Sequence, residues 1–303
     1  MGKYSSTRRA WELTMFILGL GLGALIILCA IVYYSRQLPA GILDLDPLVR
    51  VYTPPGVEPL PATISGTVIE GILPRAAKAI KVPILLYHYV EYNHDPNDTI
   101  RMGLTVTPFW LERQLQFLRS NNYVTVSPAQ LVAAVNSGRT LPPKSVMLTF
   151  DDGYRDFYTD AYPLLLKYKA KATIFVIPGF LDRPNFMYTR QLQEIATQSS
   201  GLITIGAHTV HHAALTSEKT TKAWDEVYGS KEGLEKIIGR KVEVFAYPYG
   251  FFNQETIKIV RRSGFTIAMS TIFGTTESRE NLFYLPRIRV GNYAGEQFAA
   301  RLK

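Results

Sequence analysis

From Pro83 to the C-terminus, short apolar runs alternate with longer segments in which apolar residues recur every three or four positions. The runs "PILLY", "SVMLTF", "ATIFVI", "LITIGA", "VEVFAYP", "TIAMS" and "YLPRIRV" predict strands. Between them, "PFWLERQLQFLR", "YRDFYTDAYPLLLKYKA", "YTRQLQEIATQ", the region from Trp224 to Ile238 and "NQETIKIVRRSG" predict helices. Strand and helix in alternation predict an α/β fold, a parallel sheet with helices packed outside it, either doubly wound or closed into a barrel.

The N-terminal part has a different pattern. From Leu13 to Tyr34 the chain carries no charge, and at 1.5 Å per residue this run is long enough to cross a hydrocarbon core of about 30 Å. A cleavable signal peptide has a shorter apolar stretch, and bulky Leu28 before Cys29 argues against a lipoprotein. Trp11 at one end and Tyr33 and Tyr34 at the other stand where interfacial aromatics anchor a span. Lys3, Arg8 and Arg9 precede the run, which favours a cytoplasmic N-terminus and an extracytoplasmic remainder. The sequence therefore predicts a single-pass cell-membrane protein with a cytoplasmic tip and signal-anchor helix over residues 1–36. Seven of the 18 prolines fall between Gln37 and Val82, so residues 37–82 read as a semi-rigid stalk, with a short strand or hairpin possible at "TISGTVIEG". Residues 83–303 are left for one catalytic-sized domain.

Composition changes this picture little. The chain has 303 residues and a formal net charge of +8, part of which belongs to the basic N-terminal flank. It has no Lys/Arg run and no nucleic-acid motif, which argues against a nucleic-acid partner. The single cysteine, Cys29, lies in the apolar run, so the exported part forms no internal disulfide.

The polar residues at the strand ends are more informative. His88 follows "PILLY", Asp151 and Asp152 follow "SVMLTF", His208 follows "LITIGA", and Tyr249 and Gly250 follow "VEVFAYP". In a parallel α/β fold the carboxyl ends of the strands share one face, where ligands bind. "HTVHH" spaces His208 and His212 four apart, so a helical turn, or a strand end running into a helix start, can aim both rings at one ion. Spacing alone leaves a metal site and a surface cluster equally open. The sequence lacks the glutamate of the HExxH zinc peptidases. A carboxylate from "TFDDG" would complete a two-histidine, one-carboxylate set of the kind found in hydrolytic sites, and its neighbour could take a proton.

"TFDDG" (residues 149–153) and "HTVHH" (residues 208–212), in this order and about sixty residues apart, resemble the first two motifs of the polysaccharide deacetylases, the NodB-homology carbohydrate esterases. The resemblance runs from Pro83 to the C-terminus. It implies a distorted (β/α) barrel and a metal-dependent hydrolase that removes acetyl groups from a sugar polymer. Carried over, Asp151 would be the general base, Asp152, His208 and His212 would hold a divalent ion, most plausibly Zn2+, and Thr209 would brace the ligand loop. "FAYPYG" resembles the third motif, with the backbone N–H of Tyr249 as oxyanion donor.

The sequence departs from the family pattern in two places. Ala246 stands where the third motif has an arginine, a role open to Arg287 or Arg289. No histidine follows His212, so the general acid falls to His88, which resembles the Tyr-His of the exported poly-N-acetylglucosamine deacetylases. His94 lies in a polar loop, and His211 faces away. The expected substrate is an N-acetylglucosamine polymer of the cell wall or extracellular matrix, with Trp110, Tyr188, Phe251 and Phe252 as candidate stacking residues. The two departures also keep open a membrane-tethered glycan-binding protein with a decayed site.

Overall fold

A computed structural model describes residues 79–93 and 95–303. The apolar run Leu13–Tyr34, nearly all of the proline-rich spacer and His94 lie outside the described residues. No helix among the described residues is long and apolar enough to cross a membrane.

The strands are β1 (Ile80–Lys81), β2 (Ile84–Tyr87), β3 (Val124–Thr125), β4 (Ser145–Phe150), β5 (Ala172–Val176), β6 (Ile203–Ala207), β7 (Val244–Ala246), β8 (Ile267–Met269), β9 (Thr276–Glu277) and β10 (Ile288–Arg289). The helices are α1 (Thr99–Leu104), α2 (Pro108–Ser120), α3 (Pro128–Ser137), α4 (Tyr162–Tyr168), α5 (Thr189–Gln198), α6 (Thr220–Ile238), α7 (Gln254–Arg262) and α8 (Glu296–Arg301). The main sheet is parallel and runs β10-β2-β4-β5-β6-β7-β8, with β3 beside β4. From β4 to β8 each strand neighbours the next in sequence, with one of α4 to α7 in each crossover. β2 and β4 are buried at every position. Sheet strands covered on both faces need such uninterrupted apolar runs.

The sheet is curled, and one segment joins its two edges. Leu285 bridges Met269 of β8 and exchanges hydrogen bonds with Ala268 and Ser270, while Ile288 and Arg289, a few residues on, pair with Leu85 and Leu86 of β2. Inside the curl, Ile84, Met147, Phe175, Val244, Ile267 and Met269 form one apolar cluster, and the larger cluster lies between sheet and helices. Phe175 fills the interior because Gly206 leaves it room: a Cβ there would lie 2.6 Å from the Phe175 ring.

Sequence patterning located β2, β4 to β8 and β10 and the helices α2 and α4 to α7, but missed other elements. Ile80 and Lys81, assigned to the spacer, pair with β9, and Val82 is buried, so the folded unit begins before Pro83. The helix expected over "YRDFYTDAYPLLLKYKA" opens with a π-helical turn, Phe157–Ala161. Pro163 has no N–H for a regular ladder there. The short helices α1 and α3 were not foreseen, although Ser127 and Gln130 form a capping box at the start of α3.

β9 carries a buried acid. Glu277 is fully buried, neither carboxylate oxygen has a partner, and burial pushes its pKa up to about 8. An unfolded chain releases this proton near the ordinary value of 4.5, so the folded state loses stability as pH rises from there through about 8. The loss is on the order of 1 kcal/mol per pH unit. Urea unfolding of Glu277→Gln should match the parent near pH 4 and exceed it in stability at pH 9. Parallel pH profiles for the two proteins would reject this account.

Candidate active site

The candidate side chains follow the carboxyl ends of strands: His88, Asp151 and His208 stand one residue past β2, β4 and β6, Asp152 two, Tyr249 three past β7 and His212 five past β6. The Asp151 N–H donates to the Tyr87 carbonyl (3.0 Å), and the His208 N–H donates to the Val176 carbonyl (3.0 Å), each extending the ladder to the neighbouring strand. Asp151, Asp152 and His208 are buried, and His88 is half-buried.

Asp152, His208 and His212 converge. Their potential ligand atoms all lie within 4.8 Å of one another. Asp152 Oδ1 is 3.4 Å from His208 Nε2 and 3.3 Å from His212 Nε2. His208 Nδ1 lies 2.7 Å from the Ala246 carbonyl, so the proton on Nδ1 donates there and Nε2 is left bare toward Asp152. The sequence reading allowed a helical turn or a helix start for these histidines. They stand instead on a non-helical turn, and the following long helix begins only at Thr220. Left-handed backbone at Thr209 (φ 61°) and His212 (φ 58°) folds the second ring back toward the first. The Thr209 hydroxyl braces this turn by accepting the Ala213 N–H at 3.1 Å.

The electrostatics suit a cation. Asp152 Oδ1 is buried and has no hydrogen-bond partner, a costly arrangement unless a positive charge occupies the space it faces. Burial would raise the Asp152 pKa, but the histidines outweigh it and hold the carboxyl well below the usual range. Burial, reinforced by His208, pushes His212 down to about 4, so its ring is neutral and free to ligate near pH 7. For His208, burial pulls the pKa down, and the Asp152 contact reverses the shift to a net rise. The buried oxygen and two bare imidazole nitrogens fit a divalent ion.

Asp151, one residue earlier, has the opposite surroundings. Arg287 grips it with both arms: Nη1 to Oδ1 and Nη2 to Oδ2, each 2.7 Å. The guanidinium is buried and also donates from Nε to the Ser270 carbonyl (2.7 Å) and from Nη1 to Thr149 Oγ1 (3.2 Å). Burial alone would raise the Asp151 pKa, but Arg287 holds it below the ordinary value. Arg289, the other arginine considered, is exposed. Of the two arginines, Arg287 is the one that contacts Asp151.

His88 follows β2, where burial lowers its pKa while Asp151 and Asp152 oppose the shift. Tyr249 follows β7 with φ 60°, and its exposed ring lies 4.6 Å from that of His212. His211 turns away and bonds Glu226, a residue that no sequence signal marked. The four candidate stacking aromatics divide: Trp110 and Phe252 pack against the core, whereas Tyr188 and Phe251 are exposed. Size does not locate this chemistry, since a cavity of about 820 Å³ between Val82, Leu141 and Arg279 contains none of these residues.

The polysaccharide deacetylase family profile matches residues 138–268, a span that holds both aspartates, His208, His212 and Tyr249. The structure of a Streptococcus pyogenes deacetylase, PplD, in complex with acetate superposes with a TM-score of 0.69 and is 31% identical, covering 75% of this chain and 100% of that one. The chain belongs to the polysaccharide deacetylase family. A putative polysaccharide deacetylase of Bacillus subtilis, YxkH, is 29% identical over 230 residues, which cover 76% of this chain and 78% of the relative. A poly-β-1,6-N-acetyl-D-glucosamine N-deacetylase of Staphylococcus aureus is 26% identical over 210 residues, 65% of this chain and 71% of the relative. Family membership makes this protein a hydrolase, and the curled parallel sheet matches its fold.

Removing one partner of a buried charge pair leaves the other uncompensated, at about 3–5 kcal/mol. Arg287→Met should therefore lower folding stability by that order in urea unfolding, whereas Arg289→Met should change it by less than about 0.5 kcal/mol. Equal effects of the two substitutions would refute the special role given to Arg287.

Proposed function

We propose that this deacetylase hydrolyses the acetamide of N-acetylglucosamine units in a cell-wall or extracellular polymer, using Asp152, His208 and His212 to hold a divalent ion, Zn2+ being the best match. The observation that carries this reading is the partnerless buried Oδ1 of Asp152 facing the Nε2 atoms of His208 and His212. A bound ion would supply Lewis-acid polarisation and ease deprotonation of the attacking water.

The chain's own residues supply the other steps. Asp151 is ionised, and Arg287 uses only part of the roughly four lone-pair directions of its carboxylate, so it can still accept the proton of the attacking water. The backbone N–H of Tyr249 donates to the oxygen that gains negative charge, a contribution of about 2.7–4 kcal/mol for one such donor. His88, when protonated, delivers its proton to the departing amine; Asp151 and Asp152 favour that form and burial opposes it. Acetate and a glucosamine unit are the products. Tyr188 and Phe251, being exposed, are available to stack on flanking sugars. The buried Asp151–Arg287 pair weakens the decayed-site alternative, which rested in part on the missing arginine of the third motif.

For placement, we propose that the uncharged run Leu13–Tyr34 anchors the chain in the cell membrane, with residues 37–79 as a spacer and the catalytic unit outside the cytoplasm. The full chain should stay in the membrane fraction after alkaline carbonate washing, and its release into the supernatant would reject the anchor.

Metal analysis and acetate release from poly-β-1,6-N-acetylglucosamine, peptidoglycan and chitin oligomers test the chemistry. Asp152→Ala should lose the metal. Asp151→Asn should keep it and lose turnover, and His88→Gln should keep it with turnover lowered about 10²–10⁴-fold. Normal turnover by Asp151→Asn rules out the base assignment, and no acetate from any polymer by the metal-loaded parent rules out the reaction.

A further inference from the structure

The turn that carries both histidines is held from two sides, and on one of them a single residue, Glu226, supplies both main-chain and side-chain contacts. Between His208 and His212 lie Thr209, Val210 and His211, and two of the three are tied to Glu226 of α6. The Val210 N–H donates to the Glu226 carbonyl (3.1 Å), the His211 N–H to Glu226 Oε2 (2.8 Å), and His211 Nδ1 lies 2.9 Å from Glu226 Oε1. Glu226 is 6% exposed and points from a helix otherwise buried through Ala223, Val227, Ser230 and Leu234. On the opposite side of the turn, the Gly179 N–H donates to the Val210 carbonyl (3.0 Å). A Cβ at Gly179 would lie 2.4 Å from that carbonyl oxygen and 3.1 Å from the His211 ring. The turn is therefore pinned between the β5–α5 loop and α6.

This pinning has something to oppose. Thr209 is β-branched with φ 61°, and His212 has φ 58°, conformations that cost on the order of 1–3 kcal/mol each and persist only when their surroundings enforce them. Released, the turn would relax toward ordinary backbone and swing the His212 ring away from Asp152. His208 has its own anchors, the Val176 and Ala246 carbonyls. His212 has no such anchor among the described residues: its Nε2 approaches Asp152 Oδ1 at 3.3 Å, and its ring lies 4.6 Å from that of Tyr249 and 5.0 Å from that of His208.

We propose that Glu226 is a positioning residue for the metal centre: its carboxylate, gripping the main chain and ring of His211, holds His212 in ligating geometry before any metal arrives. His211 is the handle on which this clamp acts. The proposal rests on the reading of Asp152, His208 and His212 as a metal site, and it adds that the affinity of that site is set in part from α6.

The test is Zn2+ affinity, measured by chelator competition on the parent and four variants, together with the melting temperature of each metal-free protein. Glu226→Ala removes both side-chain bonds and should weaken Zn2+ binding about 10- to 100-fold, the usual cost of losing an outer support of a ligand. Glu226→Gln keeps one acceptor for the His211 N–H and should fall between parent and Glu226→Ala. His211→Ala loses only the ring contact and should lose less affinity than Glu226→Ala. Val227→Ala, a core truncation on the same helix, should lower the melting temperature and leave Zn2+ affinity within about twofold. At saturating Zn2+, Glu226→Ala should recover kcat to within a few-fold of the parent, because the clamp acts on binding rather than on chemistry. Unchanged affinity in Glu226→Ala, or an equal loss in Val227→Ala, overturns the clamp. Failure of the parent to bind Zn2+ overturns the metal site itself, and the clamp with it.

Discussion

The bidentate grip of Arg287 on Asp151 ties catalytic geometry to the closure of the fold. Arg287 lies in the segment that joins the two edges of the sheet, between Leu285, which bridges Met269 of β8, and Ile288 of β10, which pairs with β2. Asp151 ends β4, two strands away along the sheet from β10. The pair is buried, so neither charge is tolerable without the other, and a shift of the closing segment would strand both. The residue assigned as base therefore has the orientation that the complete curl of the sheet gives it. An arginine placed on β7, as the third family motif has it, would approach the same carboxylate from three strands away in the opposite direction along the sheet. Here the guanidinium arrives from the closing segment, and Ala246 is left to offer only its carbonyl, which orients His208.

Two adjacent aspartates acquire opposite chemistry because the backbone turns sharply between them. Asp151 continues the direction of its strand into the closed end of the curl, where Arg287 and Thr149 wait. Asp152 has φ 75° and swings its carboxylate to the His208 and His212 side. Gly153 follows with the same φ, so two successive residues in left-handed backbone turn the chain away from Asp151. Both carboxylates are held ionised, one by a fixed guanidinium and the other by imidazoles around a space that suits a cation. The local charge balance differs in kind: Asp151 is already neutralised by the protein, whereas Asp152 is left with an oxygen to share.

Much of this was legible in the sequence, for definite reasons. Continuous apolar runs such as "ILLY" and "SVMLTF" mark strands covered on both faces, and the polar residue after each run marks the shared carboxyl end. Apolar runs located the seven strands from β10 to β8 along the main sheet, and the family motifs pointed to Asp152, His208 and His212, which the fold brings together. What stayed hidden depends on distance in three dimensions. The 136 positions separating Asp151 from Arg287 exceed any pattern window, so two arginines remained equal until their burial distinguished them. Glu226 looks like any acid on an amphipathic helix, because the turn it grips lies 15 positions earlier. The non-helical shape of "HTVHH" was hidden for another reason: left-handed φ at a threonine and a histidine runs against local propensity, and only the surrounding contacts enforce it.

Strain at the site follows a pattern. Among the described non-glycine residues with positive φ, Asp152, Thr209, His212 and Tyr249 are all at the site. Each immediately follows, or closes, a segment emerging from a strand end, where the chain would otherwise carry its side chains along the strand direction. A left-handed residue at that point reverses the direction within one step, which lets β4, β6 and β7 each turn a functional group inward over the mouth of the curl. Glycine would adopt these angles freely but would bring no carboxylate, imidazole or aromatic ring. At Asp152 and His212 the site therefore accepts backbone strain so that a carboxylate and an imidazole can stand where geometry favours glycine. The stiff, fully buried strands beneath make that strain tolerable.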